Sequence, residues 1–158
     1  MTTIAHRTRP DDPHLRDAQR AVDAARRDGV HRFQVVALVR PSTAREFVLL
    51  IDHRDETWAV PTAEVHPTDT VPRALDWLCD RHLGLAEWQA SYAGAARYRT
   101  SGDTEVLQVA FDVVVPSDGA LSWPGSCQWW HPHADPPEVH RLSRPTVERL
   151  QAAAGPRP

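Results

Sequence analysis

The sequence contains no lysine and no asparagine, so all 18 of its basic residues are arginines. Its two cysteines, Cys79 and Cys127, are too few for a disulfide framework and do not have the spacing of a zinc site. No run of about 18 apolar residues occurs, which argues against a transmembrane helix, and the first residues lack the apolar stretch of a signal peptide. We therefore expect a cytoplasmic protein that does not enter a membrane.

The length and charge favour one soluble domain. The 158 residues carry a formal net charge of -3, and 41% of them are hydrophobic. Basic and acidic residues are interspersed, which argues against a nucleic-acid-binding surface. A chain of this size can bury one core but is short for two domains. We expect a flexible arm over residues 1–12, an N-terminal helix over 13–29, one domain over 30–154 and a tail over 155–158.

The first half of the chain predicts a helix followed by two strands. Apolar residues recur every three or four positions from Pro13 to about Asp28, as on an amphipathic helix, and Gly29 ends the pattern. Arg32–Val39 and Glu46–Ile51 are β-branched and apolar runs of strand length. Because the linker between them has the length of a hairpin loop, we expect these two strands to be antiparallel neighbours.

The second half predicts a helix between strands and a helix at the end. The first helix runs from about Thr70 to Leu83, with Thr70 as its cap and Pro72 in its first turn. The later elements are strands near Ser91–Arg99, Glu105–Val115 and Cys127–His131, and a helix that begins near Ser143. Elements in this order indicate an α/β layered domain.

Trp58–Pro61 has the pattern of a strand end, and Gly84 with Leu85 follows the predicted helix. This arrangement resembles the Nudix hydrolase family, whose box reads G-x5-E-x7-R-E-U-x-E-E-x-G-U, with U apolar, and follows a similar strand end. The resemblance is one of frame, covers roughly residues 30–154 and places a degenerate box at residues 63–85. It implies a Nudix-like α/β/α sandwich with a mixed β-sheet, preceded by the N-terminal helix.

Within this frame, the resemblance implies that the catalytic residues are lost. The family's glutamate pair, which holds Mg²⁺ or Mn²⁺, falls on Arg81 and His82, and its preceding Arg-Glu pair falls on Trp77 and Leu78. Only the first glutamate of the box has an acidic match, Asp69. Hard cations need oxygen ligands, which leucine and arginine side chains do not supply. We therefore expect no metal-dependent pyrophosphohydrolysis and no cofactor.

The substituted residues lie three and four positions apart on the predicted helix and so lie near one another. Trp77 and Leu78 either fill the former site as extra core or form the apolar floor of a pocket. In the second case, Arg81 and His82 form a cationic rim, and the pocket suits an aromatic or acidic small molecule.

Four residues on other strands are further candidates for ligand binding. Trp129 and Trp130 are adjacent on a predicted strand and point to opposite faces, so we expect one in the core and the other lining the cleft. Arg97 and Arg99 share one strand face that suits a phosphate or carboxylate, although a solvated face explains them as well.

The histidines leave two alternatives open. His66 and His82, together with Asp69, have the donor atoms for a transition metal such as Zn²⁺, with Arg81 as an unfavourable neighbour. Without a metal, His82 can act as a general acid or base beside Asp69 and Arg81. Three more histidines, His131, His133 and His140, also have donor atoms for a metal, but their spacing matches no standard site, so we expect them to be exposed in or beside a Pro-rich loop.

Three functions therefore remain open. The first is a catalytically silent Nudix-fold protein that binds a small molecule or a protein partner in the former active-site cleft. The second is an enzyme that reuses the cleft for an isomerase, cyclase or lyase reaction with His82, Asp69 and Arg81, by analogy with small proteins of actinobacterial specialised metabolism. The third is a regulatory partner, such as a homodimer, that acts through its N-terminal helix.

Overall fold

The computed structural model describes residues 13–53, 56–116 and 125–155. In chain order, its elements are α1 (Pro13–Arg27), β1 (Arg32–Pro41), β2 (Val48–Asp52), β3 (Trp58–Ala59), β4 (Thr62–Glu64), α2 (Val71–Asp76), a π-helical segment (Trp77–His82), β5 (Gln89–Arg99), β6 (Glu105–Val115), β7 (Cys127–Trp130) and α3 (Arg144–Ala154). None of the described helices has the length and hydropathy needed to cross a bilayer. The arm expected over 1–12 and all of the tail except its first residue lie outside the described residues.

The strands form two sheets. The larger one is mixed, with the order β4-β1-β6-β5, in which β1 runs parallel to β6 and antiparallel to β4. The smaller one is antiparallel, with the order β3-β2-β7. β5 and β6, both predicted as strands, pair as antiparallel neighbours on either side of the turn at Gly102.

The expected antiparallel pairing of β1 with β2 is wrong. Both edges of β1 are occupied, because Gln34–Val36 pairs with β4 and Arg32–Pro41 pairs with β6. β2 pairs with β3 and β7 in the smaller sheet instead. The length of a linker shows only that the chain can reverse, whereas the partner is decided by the ladder that satisfies the backbone groups of the whole strand.

Side chains of β1 alternate between two hydrophobic cores, one on each face of the larger sheet. Val35 and Val39 belong to the core that contains α1 and α2. Val36 and Leu38 belong to the core that contains Val147 of α3. Helices therefore cover both faces of the sheet, and the domain is an α/β/α sandwich.

The helix predicted from Thr70 to Leu83 is present, but its second half is not α-helical. The Thr70 side-chain oxygen caps the first turn by accepting from the backbone N–H of Arg73 at 3.3 Å. After Asp76 the chain becomes π-helical, and the Leu83 N–H donates to the carbonyl of Leu78, five residues earlier, at 2.9 Å. Apolar spacing does not distinguish this bond pattern from that of an α-helix, so the sequence does not predict the change.

Candidate functional site

A cleft of about 630 Å³ lies where both sheets meet the end of the π-helical segment. Its described polar lining consists of Gln34, Asp52, His53, Thr62, Glu64, His82, His140 and Ser143. The apolar residues that line it are Ile51, Ala59, Val60 and Leu142, with Gly125 completing the described wall. A volume of this size, lined by both polar and apolar side chains, is within the range of small-molecule sites.

Gln34 and Glu64 are opposite each other in the β1–β4 ladder and form one wall of the cleft. The Gln34 side-chain amide donates to a Glu64 carboxylate oxygen at 2.6 Å, and the Arg32 guanidinium donates to the same oxygen at 2.6 Å. The hydrogen bond to Glu64 raises the pKa of Arg32. These two donors hold the Glu64 carboxylate in one position.

A hydrogen-bond network holds the amide oxygen of Gln34. The Gln34 amide oxygen accepts from the Tyr98 hydroxyl at 2.8 Å and from the Gln108 amide at 3.0 Å. The Gln108 oxygen in turn accepts from the Thr146 hydroxyl at 3.3 Å. Burial raises the pKa of Tyr98, which keeps its hydroxyl protonated as a donor. The network ties the cleft wall to β5, β6 and α3, so Gln34 is preorganised.

Three imidazoles contribute to the cleft lining. The rings of His53 and His140 lie 4.1 Å apart between centroids, with an interplanar angle of 37°. Backbone bonds hold His140 there, because its N–H donates to the Trp58 carbonyl at 2.8 Å. His82 approaches from the π-helical segment, where its ring stacks on Trp77, and burial lowers its pKa. Burial thus favours the neutral form of the His82 ring, which can accept a proton.

Two loop positions complete the cleft. The backbone at Gly125 approaches Asp52 so closely that a Cβ atom there would overlap the carboxylate. Ser143, immediately before α3, accepts a hydrogen bond from the Val60 N–H at 3.0 Å through its side-chain oxygen. Strand ends and loops that are distant in sequence therefore meet at one place.

Of the predicted catalytic residues, His82 lines the cleft. Asp69 lies at the start of α2, where it accepts from the Thr70 N–H at 3.0 Å and forms an ion pair with Arg73 at 3.5 Å. Arg81 is exposed on the π-helical segment. Asp69 and Arg81 are not among the residues described as lining the cleft.

The histidine set considered for a transition metal is not brought together. Among the described residues, no group of three or more His, Cys, Asp or Glu side chains is arranged to hold a metal ion. His66 is exposed and its ring bonds to the Thr68 hydroxyl at 2.9 Å. Its partners in the hypothesis, Asp69 and His82, lie at the start of α2 and at the end of the π-helical segment.

The two ligand-binding residues predicted on the helix between Thr70 and Leu83 differ in burial. Leu78 is fully buried in the core with α1 and α2, as the core alternative predicts. Trp77 is 47% exposed and reaches the cleft lining through its stack on His82. Trp130 is buried and Trp129 is 42% exposed, as alternation along a strand predicts. That Trp77 or Trp129 contacts a ligand stays a prediction.

The two arginines of β5 contact carboxylates of the protein itself. Arg97 bonds to Asp28 at 2.8 Å, and Arg99 bonds to Asp103 at 3.0 Å. In the described lining of the cleft there is no arginine, so the expected cationic rim is not found there. Asp52 and Glu64 give that lining acidic groups instead.

Several lining residues were not predicted from the sequence. Gln34 had a usable signal, because it and Gln108 are polar residues in the middle of apolar strands. A buried polar side chain requires a hydrogen-bond partner and so points to a network. The residues without such a signal are Asp52, His53, Glu64, His140 and Ser143.

Similarity to known proteins is found in structure and not in sequence. No protein-family model matches the chain, and no curated protein matches it by sequence. The fold is similar to that of the MutT Nudix hydrolase from Burkholderia pseudomallei, with a TM-score of 0.58 and 16% identity over 74% of this chain and 95% of that one. The MutT protein from Methanosarcina mazei gives a TM-score of 0.59 and 17% identity over 80% and 96% of the two chains.

A third structure, the dihydroneopterin triphosphate pyrophosphohydrolase of E. coli, gives a TM-score of 0.57 and 14% identity over 76% of this chain and 96% of that one. The chain therefore has a Nudix-like fold. Identities this low show the fold alone and do not transfer an activity.

Proposed function

We propose that this Nudix-like domain binds a small molecule in the cleft and is not a metal-dependent pyrophosphohydrolase. The observation that carries the proposal is the cleft itself, into which the box helix contributes the imidazole of His82. The cleft has apolar walls and a preorganised polar wall at Gln34 and Glu64, which are the features of a binding site for a small molecule.

The residues present do not fit the divalent cation that the fold family implies. Mg²⁺ takes oxygen ligands in near-octahedral geometry, usually one or two carboxylates with water and phosphate. The box positions supply Leu78, which is buried, and Arg81 and His82, which offer no oxygen ligand. The Glu64 carboxylate in the same cleft is already bonded to Arg32 and Gln34.

A second function, proton-transfer catalysis, is favoured by the imidazoles of the cleft. His82 with its lowered pKa is suited to act as a general base at neutral pH, and His53 and His140 lie in the same lining. Such a site suits an isomerase, cyclase or lyase step. For this second function, His82 is the catalytic residue. Asp69 and Arg81 do not take part, because neither belongs to the described lining of the cleft.

The test is thermal unfolding of the full chain with Mg²⁺ or Mn²⁺, each with and without ADP, alongside assays for release of pyrophosphate from nucleoside triphosphates and of AMP from ADP-ribose. We expect no metal-dependent shift and no release. A bound ligand at about a hundred times its Kd would add about 2.7 kcal/mol, or roughly 5–10 °C. A Mg²⁺-dependent shift with ADP, or turnover that a chelator removes, would overturn the proposal.

Occupancy of the cleft is tested with a variant that fills it. Thr62 lines the cleft on β4, where it pairs with Val36 of β1, so Thr62→Trp places an indole at the cleft and should block a ligand. A library of neutral ring compounds should give thermal shifts with the unmodified chain that Thr62→Trp abolishes. Arg99→Trp on the exposed strand β5 is the matched control and should keep the shifts. Shifts that survive Thr62→Trp would place the ligand elsewhere.

A further inference from the structure

Two buried donors in the cleft have hydrogens that no described group accepts. Ser143 is 4% exposed, and its oxygen accepts from the Val60 N–H, which leaves its own hydroxyl proton without an acceptor among the described residues. Gln34 is 2% exposed and gives one amide hydrogen to Glu64, which leaves the second without a described acceptor. Leaving a buried donor unsatisfied costs stability, so these hydrogens indicate a ligand acceptor.

The two donors belong to one corner of the cleft. The Gln108 amide donates both to the Gln34 oxygen at 3.0 Å and to the Leu142 carbonyl at 3.4 Å. Leu142 precedes Ser143 in the chain, so this amide joins the strand of Gln34 to the segment that carries Ser143. Gln34 and Ser143 therefore lie on neighbouring parts of the cleft lining.

An acceptor for a ligand donor lies beside them. The Glu64 carboxylate is in contact with the Gln34 amide at 2.6 Å and has more lone pairs than its two bonded partners use. The Thr62 hydroxyl donates to the Val60 carbonyl at 2.9 Å, so its oxygen is also available as an acceptor. This wall thus presents donors next to acceptors.

We infer that the cleft binds an uncharged cyclic amide without a phosphate group, an inference that rests on the proposed function. The amide oxygen accepts from Gln34 and Ser143, and the adjacent N–H donates to Glu64. The ring lies against the apolar side chains of Ile51 and Leu142. A phosphate or carboxylate is disfavoured there, because the described lining holds the carboxylates of Asp52 and Glu64 and no arginine.

The experiment compares three probes by saturation-transfer NMR on the full chain at millimolar concentration: α-pyridone, N-methyl-α-pyridone and picolinate. The first carries the amide edge, the second lacks only its N–H, and the third is an acid of the same ring size. We expect α-pyridone to bind, and each of the others to bind roughly tenfold more weakly because a hydrogen bond is lost or a charge is repelled.

Two variants locate the binding. Gln34→Met removes the amide donor and should weaken α-pyridone roughly tenfold. Thr146→Val is the matched control, because it removes a hydrogen bond from the far end of the same network and leaves the cleft lining intact. If Gln34→Met fails to fold, Ser143→Ala, which removes the other donor, carries the same expectation.

The outcomes separate the two proposals. The amide inference would be overturned if α-pyridone and N-methyl-α-pyridone bind equally well, or if picolinate binds best. If Thr62→Trp abolishes that binding, the cleft is still the binding site. If none of the three probes gives a saturation-transfer signal, or if Thr62→Trp leaves the binding unchanged, the proposed function is overturned as well.

Discussion

Trp77 and His82 stack with their ring centroids 5.1 Å apart and an interplanar angle of 21°. They are five residues apart, a spacing that the π-helical segment Trp77–His82 brings together and an α-helix does not. The stack leaves Trp77 half exposed and places His82 in the cleft lining. The local change of helix type therefore positions the one predicted catalytic residue that reaches the cleft.

His82 should make stability depend on pH. Burial lowers its pKa in the folded state below the ordinary value of about 6.5. The unfolded chain therefore binds a proton first as the pH falls, so the contribution of His82 to stability is present above about pH 6.5 and is lost as the pH falls toward the folded pKa. Urea unfolding of the chain and of His82→Gln at about pH 8 and about pH 5 measures this. The other histidines are present in both chains, so their contribution cancels when the two pH-dependent changes in the free energy of unfolding are subtracted. An equal loss of stability in both chains would contradict the assignment.

Removing the stack should shift the same titration. In Trp77→Ala the His82 ring loses the indole that covers one face, so its pKa should rise toward the ordinary value. An NMR titration of the His82 ring protons in both chains is the measurement. A matched control is Trp129→Ala, which removes an exposed indole from β7 and should leave the His82 pKa where it was.

Leu78 and Trp77 should respond differently to truncation, although they are adjacent in the π-helical segment. Leu78 is fully buried, so Leu78→Ala should lower the free energy of unfolding by about 2–5 kcal/mol. Trp77→Ala loses mainly the stack, which is worth about 0.5–1.5 kcal/mol. Urea denaturation gives both numbers. Equal effects would mean that Leu78 is not a core residue.

Asp52 decides how easily position 125 accepts a side chain. A Cβ at position 125 would overlap the Asp52 carboxylate, which can move only by changing its rotamer, so Gly125→Ala should cost about 0.5–1.5 kcal/mol of stability. In an Asp52→Ala background the overlapping atoms are gone, and the same substitution should cost close to nothing. A double-mutant cycle measures the coupling between the two positions. The same cost in both backgrounds would show that another neighbour demands the glycine.

The two thiols should differ in reactivity. Cys79 is fully buried, and burial raises its pKa, so it lacks both access and thiolate. Cys127 is exposed on β7. A thiol reagent should modify one cysteine in the folded chain and both in denaturant. The variant Cys127→Ser should show no modification while folded, and rapid labelling of that variant would contradict the buried position of Cys79.

The helices and the strands β5 and β6 could be predicted because their signals are local. Apolar periodicity marks α1, a threonine cap and an early proline mark the start of α2, and a turn at Gly102 separates two strands. The pairing of β1 could not be predicted from its linker, because its partner β6 lies more than sixty residues later in the chain. That choice depends on which long ladder satisfies the most backbone groups.

The sequence by itself determined the order of the elements, the Nudix-like frame and the presence of Leu78, Arg81 and His82 on one helix, since each of these is a property of neighbouring residues. Only the tertiary structure decided that Leu78 became core, that His82 reached the cleft, and that Gln34 and Glu64 became its wall. The cleft is lined by residues from strands, loops and a helix end that are far apart in sequence. Their meeting depends on the packing of two sheets and on buried hydrogen bonds, which local pattern does not contain.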